Sequence, residues 1–226
     1  MTLSILIANP KGGCGKTTIA TNLAAAFAHM GFATALADCD RQKSATAWLK
    51  RRPGHARPLI GLNWSKEVGP LPDDIQRLVI DAPAGIRRHA VRNLVRRADV
   101  IVIPVLPSLF DEVATRRFLG VLDKLKPIRN NKRAVAIVGN RVRSRSAAGQ
   151  VLAASLAALG HDAVTIIRDT QAYPTAAIAG LSVFDRAGRR IEPLLAEWQP
   201  LLRFLGRVAA NRGGGTEAAL RSDKAN

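Results

Sequence analysis

The sequence predicts an α/β fold in which a doubly wound, mainly parallel sheet is flanked by helices. Strand-like apolar runs alternate with stretches that place apolar residues at helical spacing along most of the 226 residues. Two runs, at residues 78–81 and 99–105, are almost continuously apolar, which indicates strands covered on both faces. Helices should therefore pack on both sides of the sheet, and ligands should bind at its carboxyl edge.

Glycine and proline separate the predicted elements. The first helix, residues 16–30, stops at Gly31, and Pro53 with Gly54 ends the second. Strands are predicted at residues 3–8, 33–37, 59–64, 78–81, 99–105, 134–138 and 161–167, and helices at 16–30, 43–52, 86–98, 109–126, 147–159 and 191–209. The regular alternation indicates one domain over residues 1–209, and the glycine-rich, polar residues 210–226 are predicted to be a disordered tail.

The charge of the chain favours a polyanionic partner. Lysine and arginine number 34 against 17 acidic residues, which gives a net charge of +17. Nucleic acid and anionic membrane are the candidate partners, and a composition bias without function is the alternative. Aromatic residues make up only 4% of the chain, so recognition of single strands by base stacking is poorly supported.

The sequence also predicts the compartment. Two cysteines are too few for a disulfide framework or a structural zinc site, which favours a reducing environment. The N-terminus enters a strand almost at once, and no apolar run approaches the roughly 20 residues that span a bilayer. We therefore expect a cytoplasmic protein.

The most informative stretch follows the first strand and reads NPKGGCGKTT. The missing side chains of its glycines let successive backbone N–H groups point at an anion, at the positive end of the next helix. Lys16 adds a charge for the β and γ phosphates, and the Thr17 hydroxyl is suited to ligate Mg²⁺. The predicted nucleotide-binding residues here are Gly12, Gly13, Cys14, Gly15, Lys16, Thr17 and Thr18.

The motif KGGCGKTT resembles the deviant Walker motif of the ParA/MinD family of P-loop ATPases. Pro10 occupies the position where the ordinary spacing has glycine, and Lys11 opens the loop instead. The resemblance implies that ATP and Mg²⁺ are bound and that two subunits form an ATP-dependent homodimer. In such a dimer Lys11 reaches the phosphates held by the other subunit, so Lys11 and Lys16 are both candidate catalytic residues.

Two aspartates follow the second strand in the sequence DCDRQ, where the family has DxDPQ. The resemblance implies that Asp38 lies near Mg²⁺ and Thr17, and that Asp40 orients the attacking water as a catalytic residue. Arg41 replaces the usual proline, which leaves the hydrolysis rate open. Capping of the next helix is the alternative function of both carboxylates.

Two later positions complete the predicted site. Asp81 ends the strand LVID and is the candidate that holds a water on Mg²⁺, as in the Walker B strand. Asn140 follows the sixth strand and matches the family's adenine-contacting asparagine, although an asparagine there also suits a turn. No guanine-reading NKxD motif is present, so ATP is favoured over GTP.

The resemblance further implies non-specific binding of double-stranded DNA by basic residues of the C-terminal half. The candidates are Arg141, Arg143, Arg145, Arg168, Arg186, Arg189 and Arg190. A small partner or cargo adaptor should stimulate slow ATP hydrolysis, and the nucleoid-associated protein should position or partition a plasmid, a chromosome or a large protein complex. Arg88, Arg92 and Arg96, four residues apart on one helix, form either a phosphate-binding ridge or a solvated face.

Two other functions remain open. A MinD-like switch would bind membrane through the broad apolar face of the last helix, although core packing is the default for such a face. A metabolic enzyme of the same fold, such as an amidoligase or an iron–sulfur reductase, is the other possibility. It is disfavoured because Cys14 and Cys39 both belong to the nucleotide loops and are not free to ligate a cluster.

Overall fold

The computed structural model describes residues 1–85, 88–130, 132–143 and 163–222. Its strands are β1 (Leu3–Ile7), β2 (Thr34–Asp38), β3 (Ile60–Asn63), β4 (Arg77–Asp81), β5 (Val100–Val105), β6 (Ala134–Val142) and β7 (Ala163–Arg168). Over these ranges they form one seven-stranded sheet in the order β3-β2-β4-β1-β5-β6-β7. All of its pairings are parallel, which confirms the predicted fold class.

The described helices lie between strands or follow the last strand. They are α1 (Lys16–His29), α2 (Ser44–Arg51), α3 (Arg88–Arg97), α4 (Leu109–Leu122), α5 (Lys126–Arg129), α6 (Ala172–Ile178) and α7 (Glu192–Ser222), with a 3₁₀ helix at Val183–Asp185. The predicted helix at residues 147–159 lies outside the described residues. Among the helices that the structure describes, none is long and apolar enough to cross a membrane.

Alternate residues of the central strand β1 point to opposite faces of the sheet, and both faces are covered. Ile5 packs in one core with Leu23 of α1 and Trp198 of α7. Leu6 packs in the other core with Val95 of α3, and α4 covers the same face. Complete burial of each such side chain contributes about 1.5–3 kcal/mol, so the two cores hold the carboxyl edge of the sheet in a fixed geometry.

The apolar face of α7 is part of the core. Trp198, Leu201 and Leu205 are each 0% exposed. The indole N–H of Trp198 donates a hydrogen bond to the Tyr173 hydroxyl at 3.1 Å, which satisfies the one polar group of this buried ring. The stripe that could have served a membrane-binding helix is therefore covered by the sheet and by α6.

Three element boundaries differ from the prediction by more than two residues. Helix α4 ends at Leu122 and α5 starts anew, because Pro127 has no N–H to continue a helix through this point. Strand β6 runs to Val142 with an irregular register after Gly139, so the position predicted to follow the strand lies inside it. Helix α7 continues to Ser222 across residues expected to be a disordered tail, and the division of the chain at residue 209 stays a prediction.

Candidate nucleotide-binding site

The loop between β1 and α1 has the conformation that its glycines predict. Gly13 and Gly15 adopt φ angles of 77° and 89°, in the left-handed region that favours glycine. Gly15 directly precedes the first turn of α1, whose N-terminal N–H groups face the loop region. A Cβ atom at Gly12 would meet nothing within 4 Å, so the nucleotide-free structure could accommodate a side chain at this position.

The two lysines of the loop have different environments. Lys16 is only 7% exposed, and its Nζ donates to the backbone oxygen of Lys11 at 3.0 Å. Lys11 has an exposed side chain, while its backbone N–H donates to Oδ1 of Asn9 at 2.9 Å. One lysine is thus folded against its own loop, and the other is available at the surface.

Asn9 is a site residue that the sequence did not single out. It is 0% exposed, and its Nδ2 donates to the carbonyl of Pro104 at 2.9 Å and to Oγ1 of Thr115 at 3.3 Å. Together with its bond from Lys11, these contacts join the phosphate loop to the end of β5 and to α4. The only sequence signal for this function was an asparagine just before the motif. Its partners could not be predicted, because they are remote in the chain.

Asp81 offers a buried carboxylate beside the loop. Its Oδ2 accepts a hydrogen bond from the Thr17 hydroxyl at 2.7 Å, whereas its Oδ1 is buried without a hydrogen-bond partner. Burial raises the pKa of Asp81 to about 7, and the bond from Thr17 only partly opposes this. A buried, unsatisfied carboxylate oxygen next to a hydroxyl suits a divalent cation, so the residues present fit Mg²⁺.

Asp38 and Asp40 are held by backbone N–H groups. Asp38 is 0% exposed, and its two oxygens accept from the N–H groups of Asp40 at 3.0 Å and Thr46 at 2.8 Å. Since Thr46 lies in the first turn of α2, Asp38 satisfies one free N–H of this turn, although Lys43 and not Asp38 occupies the N-cap position. Its predicted place near Mg²⁺ stays a prediction.

Asp40 connects two loops of the carboxyl edge. Its Oδ1 accepts from the N–H of Gln42 at 2.9 Å, and its Oδ2 accepts from the N–H of Ala84 at 3.0 Å. The N–H of Gly85 in turn donates to the carbonyl of Pro10 at 3.0 Å. The loops after β1, β2 and β4 therefore form one hydrogen-bonded unit, in which Asp40 keeps a partly exposed carboxylate.

Asn140 lies beside the phosphate loop. Its Nδ2 donates to the carbonyl of Cys14 at 2.8 Å, although 126 residues separate them in the chain. It borders a cleft of about 270 Å³ that includes Thr18, Gln171, Tyr173 and Pro174. Polar groups on an aromatic and proline wall could accommodate a planar nucleobase, and adenine recognition by Asn140 stays a prediction.

The described candidates for DNA binding differ in their surroundings. Arg141 and Arg168 border the cleft beside Asn140, and Arg168 also forms an ion pair with Glu197. Arg143 lies 3.7 Å from a carboxylate oxygen of Asp169. The remaining described candidates are exposed, namely Arg186, Arg189 and Arg190. Arg145 lies outside the described residues.

The cysteines have no features of cluster ligands. Both are buried, and burial, together with the charges of Asp81 and Asp38, raises the pKa of Cys39 to about 12. In the part of the chain that the structure describes, no group of three or more His, Cys, Asp or Glu side chains could hold a metal ion.

Comparisons with known proteins agree with this geometry. The family described as "CobQ/CobB/MinD/ParA nucleotide binding domain" matches residues 5–183. The maintenance of carboxysome distribution protein A of Halothiobacillus neapolitanus is 29% identical over 193 residues, covering 82% of this chain and 88% of that protein. The protein of the same name from Gloeobacter kilaueensis is 31% identical over 219 residues, covering 90% and 94% of the two chains.

A solved structure extends the likeness to three dimensions. The complex of a Cyanothece McdA variant with ATP superposes with a TM-score of 0.70 at 16% identity, covering 88% of this chain and 96% of that chain. At this identity the likeness concerns the fold. The same strand order, loop and carboxyl edge are therefore expected in both molecules.

Proposed function

The chain belongs to the CobQ/CobB/MinD/ParA nucleotide-binding family, and on this basis we propose that it is a ParA-type ATPase that positions a cargo on DNA. ParA and MinD proteins are ATPases, and the two curated relatives are named for carboxysome distribution. The observation that carries the proposal is the pair of loop lysines, one folded inward and one exposed. This arrangement suits one lysine serving its own nucleotide and the other serving a partner subunit's.

We assign the following tasks to the residues of the site. The loop N–H groups and Lys16 bind the phosphates, and Thr17 with Asp81 would hold Mg²⁺. When bound, this ion neutralises phosphate charge during transfer to water. Asp40, fixed by the N–H groups of Gln42 and Ala84, is assigned the orientation of the attacking water molecule. Asn140 and the neighbouring cleft bind the adenine base.

Dimerisation would convert nucleotide binding into DNA binding. The exposed Lys11 of each subunit binds the phosphates of the other, so ATP holds two subunits together. A dimer doubles the basic surface of a chain whose net charge is +17. Because phosphate contacts act together, affinity for duplex DNA rises steeply on dimerisation and falls steeply with salt. Exposed Arg186, Arg189 and Arg190 are the candidates for these contacts.

The names of the curated relatives favour a large protein compartment of the carboxysome type as the cargo. A plasmid or a chromosome remains the alternative. In either case a cargo-bound adaptor would stimulate hydrolysis, release the dimer from DNA and so move the cargo toward regions still occupied by the ATPase. The proposed location is the nucleoid within the cytoplasm.

Retention on random-sequence duplex DNA tests the switch. We expect retention with ATP but not with ADP, and loss of retention in Lys11→Ala. Lys50→Ala is the matched control, because Lys50 is an exposed lysine of α2 outside the loop, and it should behave as the unmodified protein. If the protein binds DNA equally well without nucleotide, its net positive charge alone explains the binding, and the proposal is contradicted. Binding to anionic liposomes in place of DNA would favour a membrane switch.

The Mg²⁺ assignment has its own test. Asp81→Asn keeps the shape of the side chain but removes the carboxylate, and should abolish the gain in affinity for a fluorescent ATP analogue on addition of Mg²⁺. We expect a loss of roughly tenfold or more in the presence of Mg²⁺, and a small change in EDTA. Asp74→Asn, at an exposed carboxylate, is the control. An unchanged Mg²⁺ dependence in Asp81→Asn would rule this assignment out.

A further inference from the structure

A basic groove lies between α3 and the segment that joins α4 to α5. It encloses about 370 Å³, and four cationic side chains border it. They are Arg92, Arg96, Lys124 and Lys126, and we call the feature the α3–α5 groove. All four side chains are exposed, and none forms an ion pair with the residues that the structure describes. Elsewhere the chain pairs several arginines with acids, such as Arg52 with Asp185.

The floor of the groove is apolar. Leu125 and Pro127 are half-buried and form its accessible apolar surface, whereas Val95, which also lines the groove, is 0% exposed and belongs to the core. Among the described residues that line the groove none is acidic, so no carboxylate of this lining compensates the four positive charges. The groove therefore offers two kinds of contact at once, charge at its rim and aliphatic surface at its base.

The groove lies at the edge of the sheet opposite the nucleotide site. Helix α3 leaves the carboxyl end of β4 and reaches the amino end of β5, so Arg96 lies near that amino end. Lys124 and Lys126 lie between α4 and the start of β6, and the carbonyl of Arg96 accepts a hydrogen bond from Arg133, which directly precedes β6. The groove is thus separated from the phosphate loop by the length of the strands.

We propose that the α3–α5 groove is a docking site for an acidic protein segment that carries aliphatic anchor residues. Carboxylates complement the four uncompensated cations, and leucine- or valine-like side chains remove the floor from water. A DNA backbone would satisfy the charges but leave the half-buried Leu125 and Pro127 without an apolar partner. A basic segment would be repelled by the same rim.

The position of the groove has a consequence for regulation. A partner bound at the amino edge does not compete with nucleotide or with a second subunit docked at the carboxyl edge. Binding should therefore be equal with ADP and with ATP. Such a site would keep an adaptor or cargo attached through the whole ATP cycle, and its existence can be tested independently of the DNA switch proposed above.

The test uses a fluorescein-labelled peptide built from Glu-Glu-Leu repeats and a second peptide with serine in place of each leucine. Anisotropy is measured with the full chain in ADP and in ATP. We expect the leucine peptide to bind at least roughly tenfold more tightly than the serine peptide, equally in both nucleotides. Equal affinity for the two peptides would overturn the proposal, because the floor would then play no part. Tighter binding of the leucine peptide in one nucleotide state would overturn the inference that the groove works independently of the nucleotide-driven switch.

Charge-reversal variants locate the binding. The double variant Arg92→Glu with Lys124→Glu should lower the affinity for the leucine peptide roughly tenfold or more. The double variant Lys50→Glu with Lys66→Glu changes the net charge equally at exposed positions outside the groove. It should lower the affinity for the leucine peptide much less. If the reversal prevents folding, as judged by circular dichroism, Arg96→Gln with Lys126→Gln replaces it. Equal losses in groove and control variants, or competition by duplex DNA that depends on Arg92 and Lys124, would overturn the proposal.

Discussion

At Gly15 two independent restraints exclude a side chain. Its φ of 89° lies in the left-handed region, and a Cβ atom would stand 2.2 Å from Nδ2 of Asn140. The close approach is what allows Asn140 to donate to the carbonyl of Cys14 across the loop. The same glycine therefore shapes the phosphate-binding backbone and brings the proposed adenine-binding residue to it.

We predict that Gly15→Ala lowers the free energy of unfolding of the nucleotide-free protein by about 1–3 kcal/mol, because it combines backbone strain with a steric overlap. Chemical denaturation measures the change. Gly12→Ala is the matched control, since it has open space and a φ outside the left-handed region, and its stability should stay within about 0.5 kcal/mol of the unmodified protein. Equal losses in both variants would show that the approach of Asn140 is not the cause.

The residues of the phosphate loop could be predicted because their spacing is local. The glycines, Lys16 and Thr17 lie within a few positions, and the strand and helix around them are evident from periodicity. The function of Asn9 could not be predicted, since its carbonyl partner Pro104 is 95 residues away. The contact between Asp38 and Thr46 also depends on a fold that brings this carboxylate to the start of α2.

At the scale of elements, α2 is tied to the C-terminal half by one buried carboxylate. Asp185 accepts hydrogen bonds from Arg52 at 2.8 and 3.0 Å and lies 2.9 Å from His29 of α1. The adjoining turn at Gly180, with φ of 67°, packs against the end of α2, where a Cβ would meet the backbone of Arg51 at 2.3 Å. The cluster links α1, α2, α6 and the 3₁₀ helix.

We predict that Arg52→Met lowers the free energy of unfolding by about 3 kcal/mol at neutral pH, because it leaves a buried carboxylate without its main cation. The side chains of Arg52 and Asp185 are only 6% and 4% exposed. Lys50→Met, an exposed change in the helix α2 that directly precedes Arg52, should cost less than about 0.5 kcal/mol. A loss below 1 kcal/mol in Arg52→Met would contradict a structural role for this pair.

The same cluster makes the stability of the protein depend on pH. Burial alone would raise the pKa of Asp185, but hydrogen bonds from Arg52, Ser182 and His29 outweigh it and hold that pKa well below its ordinary range. A depressed carboxyl pKa stabilises the fold fully above the unfolded value of about 3.9 and loses this effect as the pH falls further. The stability difference between Arg52→Met and the unmodified protein should therefore shrink below about pH 4.

Element boundaries were predictable where a local signal was strong. Gly31 and Pro53 mark helix ends close to where the structure has them. The break between α4 and α5 was not predicted, because apolar periodicity continues through residues 118–125 and hides the effect of Pro127. The irregular end of β6 was also not predicted. Arg141 adopts a φ of 51°, a conformation that a glycine would have indicated but an arginine does not.

At the scale of the whole molecule, α7 joins the two ends of the chain. Arg212 forms an ion pair with Asp99, at the amino end of β5, and donates to the carbonyl of Thr2 at 3.4 Å. Asp99 also accepts from the N–H of Ser4 at 2.9 Å. The long C-terminal helix is therefore fixed to the amino edge of the sheet as well as to the core beneath it.

We predict that Arg212→Ala lowers the free energy of unfolding by about 1 kcal/mol, the amount expected for a partly exposed ion pair. Hydrogen exchange should increase in the last turns of α7 and at β1 together. Arg207→Ala, an exposed arginine on the same helix, serves as the control and should leave exchange at β1 unchanged. Faster exchange in α7 without any change at β1 would argue against a link between the chain ends.

The placement of β1 in the middle of a parallel sheet bears on how the protein is made. All five of its residues are buried, yet its neighbours are β4, starting at Arg77, and β5, starting at Val100. A ribosome adds roughly 5–20 residues per second, so this apolar strand waits on the order of ten seconds for both partners to emerge. The nascent N-terminal half is therefore the form most prone to aggregation, and we expect it to depend on chaperones until β5 has been synthesised.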